Sequence, residues 1–264
     1  MGIIKGKFIV GAVGPVVYKV VKGKNIVSSK MVKGSMKQTK GTIRAAGTFG
    51  IANRLSSEIM HSLQKLLGGL QDDLMYKRLS VRLNDILYAA RESGAHRYNF
   101  TGVSLHTLNG FDFNTKSPLR ASLRSVPAIS LNNGLLRLVL NDLDDPQTII
   151  YPMHGKSCEM VATVSLFRLQ DGVKIPAAEY QRLKLKRNQK DITTHEFVFW
   201  VPAGCMCIVS LFIYYYSVSD NYLSVLNHKK FSPGTICAAF FEPGIYNSND
   251  HRKWEVMDRL QINC

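Results

Sequence analysis

The sequence predicts an α+β fold in which an extended basic arm with a hairpin is followed by two helices and an antiparallel β-sandwich, immunoglobulin-like or jelly-roll-like. Three observations predict it. Short β-prone pieces separated by Gly and Lys fill residues 1–41, and apolar residues recur every three or four positions within residues 42–97. From residue 98 to 264 the apolar pattern has a period of two, with frequent turn residues. We therefore expect three segments, 1–41, 42–97 and 98–264.

The arm contains one clear hairpin pattern. Residues 16–21 and 25–29 are β-prone and flank Lys22-Gly23-Lys24, where Gly23 can adopt the positive φ of a tight turn. An isolated two-stranded hairpin is marginal in water, so we expect its strands to add to a sheet edge, in this chain or in a neighbouring copy. Residues 30–40 lack an apolar period and indicate an extended basic strap.

Two amphipathic helices are expected next. The first has an apolar face that includes Ile51, Leu55, Ile59 and Leu63, and Gly68-Gly69 interrupts it. The second ends near residues 93–94, and its apolar positions are Leu74, Leu79, Leu83, Ile86 and Leu87.

The remaining residues predict strands separated by turns. The expected strands are residues 100–108, 110–114, 129–131, 135–140, 159–169, 195–201, 207–218, 222–225 and 235–241. The basic stretch 181–190 is interpreted as a solvated hairpin tip. Several short strands with this spacing are typical of a sandwich with one buried core.

Charge is distributed unevenly along the chain. Of the 34 Lys and Arg residues, 11 precede residue 55, whereas the first acid is Glu58. The later residues carry 23 bases against 19 acids, so the net charge of +15 belongs mostly to the arm. A basic arm favours a polyanionic partner such as nucleic acid. The alternative, to which we give equal weight, is that the lysines only keep an exposed β-rich segment soluble.

No pattern of a catalytic, cofactor-binding or metal site is found in the sequence. Phosphate-loop, dinucleotide-binding, metalloprotease and hydrolase motifs are all missing, and the seven histidines are scattered singly. Cys158 near His154 could form a nucleophile pair, but a buried structural thiol is the simpler interpretation. Asp142, Asp144 and Asp145 fit a turn before Pro146 better than a calcium site. We expect no enzyme activity, no cofactor and no small-molecule substrate.

The five cysteines and the apolar runs bear on location. An odd number of cysteines without metal-ligand spacing indicates small buried hydrophobes in a reducing compartment. The run 8–17 is broken by Gly11, Gly14 and Pro15, so we predict no signal peptide. The longest apolar run, residues 205–216, is too short to span a bilayer. We expect cytoplasmic synthesis and no membrane span.

Four stretches of the chain resemble a known family. GPVVYKVVKGKNIVSSK, KQTKGTIRAAGTFGIANRLSSEI, LNGFDFNTKSPL and KKFSPGTICAAFF are similar to the start, middle and end of a family of uncharacterised Bacteroidota proteins, a domain of unknown function. The resemblance covers most of the chain. It implies a bacterial origin and a non-enzymatic role, and it brings no catalytic residues.

These expectations combine into one functional prediction with one alternative. The protein is predicted to be a structural subunit of a homo-oligomer (a filament, a ring or a phage-like particle) that contacts neighbouring copies through arm residues Val16, Val17, Tyr18, Val20, Val21, Ile26 and Val27. The alternative is sequence-independent nucleic-acid binding through Lys19, Lys22, Lys24, Lys30, Lys33, Lys37 and Lys40.

Overall fold

The computed structural model has the predicted α+β fold, with helices and antiparallel sheets. It describes residues 2–30, 39–92, 98–100, 102–219, 222–246 and 250–257. The chain divides into two compact units, Met1–Ala46 and Gly47–Cys264.

The first unit contains a four-stranded antiparallel sheet in chain order: β1 (Gly2–Lys5), β2 (Phe8–Val13), β3 (Val16–Val21) and β4 (Lys24–Ser29). The predicted hairpin is confirmed as β3–β4. Lys22 and Gly23 have φ of 49° and 74°, because the turn that matches the twist of two hairpin strands needs positive φ at both central residues. The strands β1 and β2 fall within the β-prone pieces expected in residues 1–41, although their bounds and their pairing were not predicted.

Three helices follow: α1 (Lys40–Ser62), α2 (Gln64–Leu67) and α3 (Met75–Ala90). The predicted apolar face of α1 is confirmed, because Leu55, Ile59 and Leu63 are fully or almost fully buried. Gly68 ends α2 in the left-handed conformation with φ 55°, as the predicted interruption requires.

The strands of the second unit form two antiparallel sheets. They are β5 (Phe111–Asp112), β6 (Ala128–Asn132), β7 (Leu135–Leu140), β8 (Ser157–Arg168), β9 (Val173–Lys174), β10 (Glu179–Lys186), β11 (His195–Trp200), β12 (Cys205–Ser219), β13 (Tyr222–Val225), β14 (Gly234–Glu242) and β15 (Glu255–Val256). The large sheet has the order β15-β9-β8-β12-β14-β5, with β10 also paired to β8 and β13 to β12. The small sheet has the order β11-β7-β6.

The large sheet is the middle layer of this unit. Alternate residues of β12, such as Val209 and Leu211, face a core shared with the small sheet. The residues between them, such as Ile208 and Phe212, face a core shared with the helices. A strand buried on both faces is expected to be a continuous apolar run, and β12 is one.

Three sequence predictions are wrong. The sandwich was expected to have one buried core, but the large sheet separates two. Residues 100–108, of which all but residue 101 are described, form turns and a 3₁₀ helix (His106–Leu108) rather than a strand. Phe100, Leu105 and Leu108 all face the helix-side core, at spacings of five and three, which a strand with a period of two cannot provide. The stretch 181–190 is mostly the strand β10, because Leu183 and Leu185 are buried between the two sheets.

Candidate interaction surface on the N-terminal sheet

The pairing register of the N-terminal sheet sorts its residues onto two chemically different faces. Tyr18 pairs with both Gly11 and Val27, and directly paired residues share a face while neighbours along a strand alternate. One side, which we call the uncharged face, consists of Gly2, Ile4, Ile9, Gly11, Val13, Val16, Tyr18, Val20, Asn25, Val27 and Ser29. The other, the lysine face, consists of Ile3, Lys5, Phe8, Val10, Ala12, Val17, Lys19, Val21, Lys24, Ile26 and Ser28.

Both faces expose large apolar side chains. None of residues 2–30, all of which are described, is buried. On the uncharged face Ile4 is 75% exposed and Val27 is 53% exposed, and on the lysine face Ile3 is 59% exposed. A sheet with an apolar side normally packs that side against a core. Because large apolar side chains are exposed on both faces of this sheet, both faces have the composition of an interaction surface.

The seven lysines of the alternative prediction do not form one cluster in the described residues. Lys19 and Lys24 lie on the lysine face, and Lys22 lies in the turn between β3 and β4. Lys30 directly follows β4, where its amide donates to the carbonyl of Pro15 at 2.6 Å. Lys40 is the first residue of α1. Lys33 and Lys37 lie outside the described residues.

The seven apolar residues of the assembly prediction fall on both sides of the sheet. The uncharged face holds Val16, Tyr18, Val20 and Val27, and the lysine face holds Val17, Val21 and Ile26. Alternation along a strand separates the residues of that strand, but which residues of β4 share a face with Tyr18 depends on the pairing register.

The predicted addition of β3 to a sheet edge needs correction. Residues 16–18 pair with β2 on one side and β4 on the other, so their backbone hydrogen-bonding groups are already used. The edge strands of this sheet are β1 and β4, so of the two expected strands β4 is the one that lies at an edge, while residues 19–21 of β3 pair with β4 alone.

Cys158 was considered as a nucleophile and Asp145 as a calcium ligand, and the structure places the first in a buried contact and the second in a turn. The Cys158 sulfur lies 3.3 Å from the Tyr151 hydroxyl, and burial raises the pKa of the thiol to about 11. A thiol with so high a pKa is protonated at neutral pH and is a poor nucleophile. Asp145 accepts a hydrogen bond from the amide of Gln147 at 2.8 Å, which is a turn contact. In the described part of the chain no cluster of His, Cys, Asp and Glu is suited to hold a metal.

No family model matches the chain, and no curated protein or solved structure matches it either. The resemblance to the Bacteroidota family therefore stays a prediction. Among the described helices none is both long and apolar enough to cross a bilayer.

Proposed function

We propose that the protein is a non-enzymatic structural subunit that assembles with copies of itself through the uncharged face of its N-terminal sheet. One observation carries the proposal: in a chain of net charge +15, an entire sheet face of eleven residues lacks any formal charge and exposes aliphatic side chains.

Charge favours a second copy as the occupant of this face. Copies with the same positive net charge repel each other, and this repulsion opposes a contact least where the surfaces carry no like charges. In the N-terminal sheet Lys5, Lys19 and Lys24 all point to the opposite side. Two uncharged faces can therefore pack together while the lysines of both copies stay in water.

The geometry of such a contact follows from sheet packing. Two antiparallel sheets pack with their inner apolar faces about 10 Å apart, and an isologous contact of this kind closes a dimer. A filament, ring or phage-like particle requires a second contact, for which the outer edge of β4 supplies unpaired backbone groups.

A matched pair of substitutions tests the contact. Val27 and Ile26 are neighbours on β4, 53% and 45% exposed, but they lie on opposite faces. Val27→Lys puts a charge into the proposed contact, whereas Ile26→Lys adds the same charge to the lysine face. We expect light scattering of the intact protein to show assemblies that Val27→Lys dissociates and Ile26→Lys leaves intact. A monomeric wild-type protein at high concentration, or equal effects of both variants, would contradict the proposal.

The lysine face supports the alternative function, binding of nucleic acid without sequence preference. On this face Lys5 is the cross-strand partner of Phe8 and Lys19 of Ile26, so cations alternate with apolar residues. Contacts between lysines and phosphates release counterions and weaken steeply with salt. We expect Lys19→Gln combined with Lys24→Gln to reduce duplex DNA binding and its salt dependence. Unchanged binding would exclude the lysine face.

A further inference from the structure

A second surface, on the sandwich, combines cations and aromatic rings on one side of β10. Tyr180, Arg182, Lys184 and Lys186 alternate with Leu183 and Leu185, which are buried against the small sheet. The four alternating residues are all exposed on the opposite side. Because every second residue of a strand lies about 6.8 Å further on, the three cations form a straight row.

The row continues across the neighbouring strands. Lys186 pairs with Ser157 of β8, Ser157 pairs with Tyr216 of β12, and Tyr216 pairs with Val225 of β13, so these residues share a face. Four neighbouring strands span about 14 Å. The surface of Tyr180, Arg182, Lys184, Lys186, Ser157, Tyr216 and Val225 is called the basic–aromatic face below.

The helices leave this end of the sheet open. Contact of the helical layer with β12 reaches Tyr214, whose hydroxyl donates to the carbonyl of Leu66. Two residues further along the same face, Tyr216 is only half-buried, and Val225 beside it is 57% exposed. A linear ligand can therefore lie on the sheet directly.

Contacts within the face fix its aromatic side chains and leave two cations for a ligand. The Tyr216 hydroxyl donates to Glu159 at 3.1 Å, and a guanidinium nitrogen of Arg182 lies 3.5 Å from the other oxygen of that carboxylate. Arg182 also lies over the Tyr180 ring, 4.9 Å from its centroid. Lys184 and Lys186 make no ion pair with any described residue.

We propose that the basic–aromatic face binds single-stranded nucleic acid, with the phosphates along the row of Lys184 and Lys186 and bases stacked on Tyr180 and Tyr216. Single-strand binding surfaces combine a track of positive charge with aromatic rings on which bases stack. Arg182 lies over one face of the Tyr180 ring, so a base would stack on the other face. An acidic protein would use the cations but not the rings, and a membrane would need apolar residues at the loop tip. The loop after β10 is Arg187-Asn188-Gln189-Lys190, which is polar.

The experiment uses the full chain and a fluorescein-labelled oligothymidylate, with binding followed by anisotropy at increasing salt. We expect Lys184→Gln combined with Lys186→Gln to weaken binding at least tenfold at low salt. The slope of log affinity against log salt should fall by about 1.4, because each single-strand phosphate contact contributes about 0.7. Tyr180→Leu should weaken binding and leave the slope unchanged, because stacking releases no counterions.

The control carries the same change in charge elsewhere. Lys77 on α3 and Lys116, which follows β5 at the far end of the large sheet, are exposed, so Lys77→Gln combined with Lys116→Gln should bind as the wild type does. The variant Lys19→Gln combined with Lys24→Gln tests whether the lysine face of the N-terminal sheet, rather than the basic–aromatic face, is responsible for the binding. Equal losses in the control and the β10 variant would overturn the proposal. So would absence of oligothymidylate binding, or a preference for phosphatidylserine vesicles or polyglutamate that the β10 variant abolishes.

Discussion

The ammonium nitrogen of Lys174 lies 2.8 Å from a carboxylate oxygen of Glu58, and it joins the large sheet to α1. The side chain of Lys174 is only 3% exposed and that of Glu58 15% exposed. The same nitrogen lies 2.9 Å from the Nδ1 atom of His61. A cation held so far from water depends on these partners, because an unpaired buried charge is costly.

The first prediction concerns this ion pair. Glu58→Gln should lower the free energy of unfolding by about 3 kcal/mol, because it leaves the Lys174 charge buried without a counter-charge. Glu58→Leu combined with Lys174→Met removes both charges and should recover most of the loss. Urea unfolding followed by circular dichroism measures both. A double variant less stable than Glu58→Gln would contradict this account.

The second prediction concerns Asp72, just before α3. Burial alone would raise the pKa of this carboxyl. Hydrogen bonds from the amide of Thr115, the Arg78 guanidinium and the amide of Leu74 outweigh burial and hold the pKa below its ordinary value of 3.8. A lowered folded pKa means that the carboxylate stabilises the fold above the unfolded pKa, and that this stability is lost as the pH falls through the folded pKa.

Asp72→Asn should therefore cost about 1–2 kcal/mol at neutral pH, since it weakens these charge-assisted hydrogen bonds. The difference in unfolding free energy between wild type and variant should shrink as the pH falls from about 5. Urea titrations at a series of pH values provide the check. A difference that stays constant into acid would show that the ionised carboxylate does not matter.

The third prediction concerns the thiols. Burial raises the pKa of Cys158 to about 11 and the pKa values of Cys205 and Cys207 to about 12. In the folded protein these three residues should resist iodoacetamide at neutral pH, and in denaturant they should all react. Mass spectrometry of peptides after brief labelling distinguishes each cysteine. Rapid labelling of Cys158 in the folded protein would contradict this prediction and would make Cys158 a candidate nucleophile again.

The fourth prediction uses two neighbours on β10. Leu185 is 3% exposed in the core between the sheets, whereas Lys184 lies on the exposed side. Leu185→Ala should lower the unfolding free energy by about 2–4 kcal/mol, because it leaves a cavity. Lys184→Ala should change it by less than about 0.5 kcal/mol. Equal changes in melting temperature for the two variants would show that Leu185 and Lys184 do not lie on opposite sides of β10 as described.

Local chemistry was enough to predict the hairpin and most of the sandwich strands. Lys22-Gly23 between two β-prone segments predicts a tight turn, and the long apolar run of β12 predicts a buried strand whatever it pairs with. The sequence Arg182-Leu183-Lys184-Leu185-Lys186 also has the period of two. Its high charge led to the wrong interpretation as a loop, although the alternating leucines were the signal of a strand.

The candidate surfaces were harder to predict from the sequence than the strands. The apolar and basic residues of the arm were identified, but their separation onto two faces depends on pairings such as Tyr18 with Val27. A shift of one residue in that register would exchange the faces. The sequence placed three residues, Lys22-Gly23-Lys24, between the two strands, whereas the turn contains only Lys22 and Gly23 and Lys24 already belongs to β4. The basic–aromatic face is still harder to predict, because Lys186 and Tyr216 come together only through a strand from another part of the chain.

The double burial of β12 has a consequence for folding kinetics. Its pairing with β8 joins residues as far apart as Tyr216 and Ser157, and neither core is complete until that long loop closes. The helices and the small sheet both pack on the large sheet, so their final packing also depends on the pairing of β8 with β12. Residues 47–264 should therefore refold slowly in a single phase, and their most protected amides in hydrogen exchange should be those of β12.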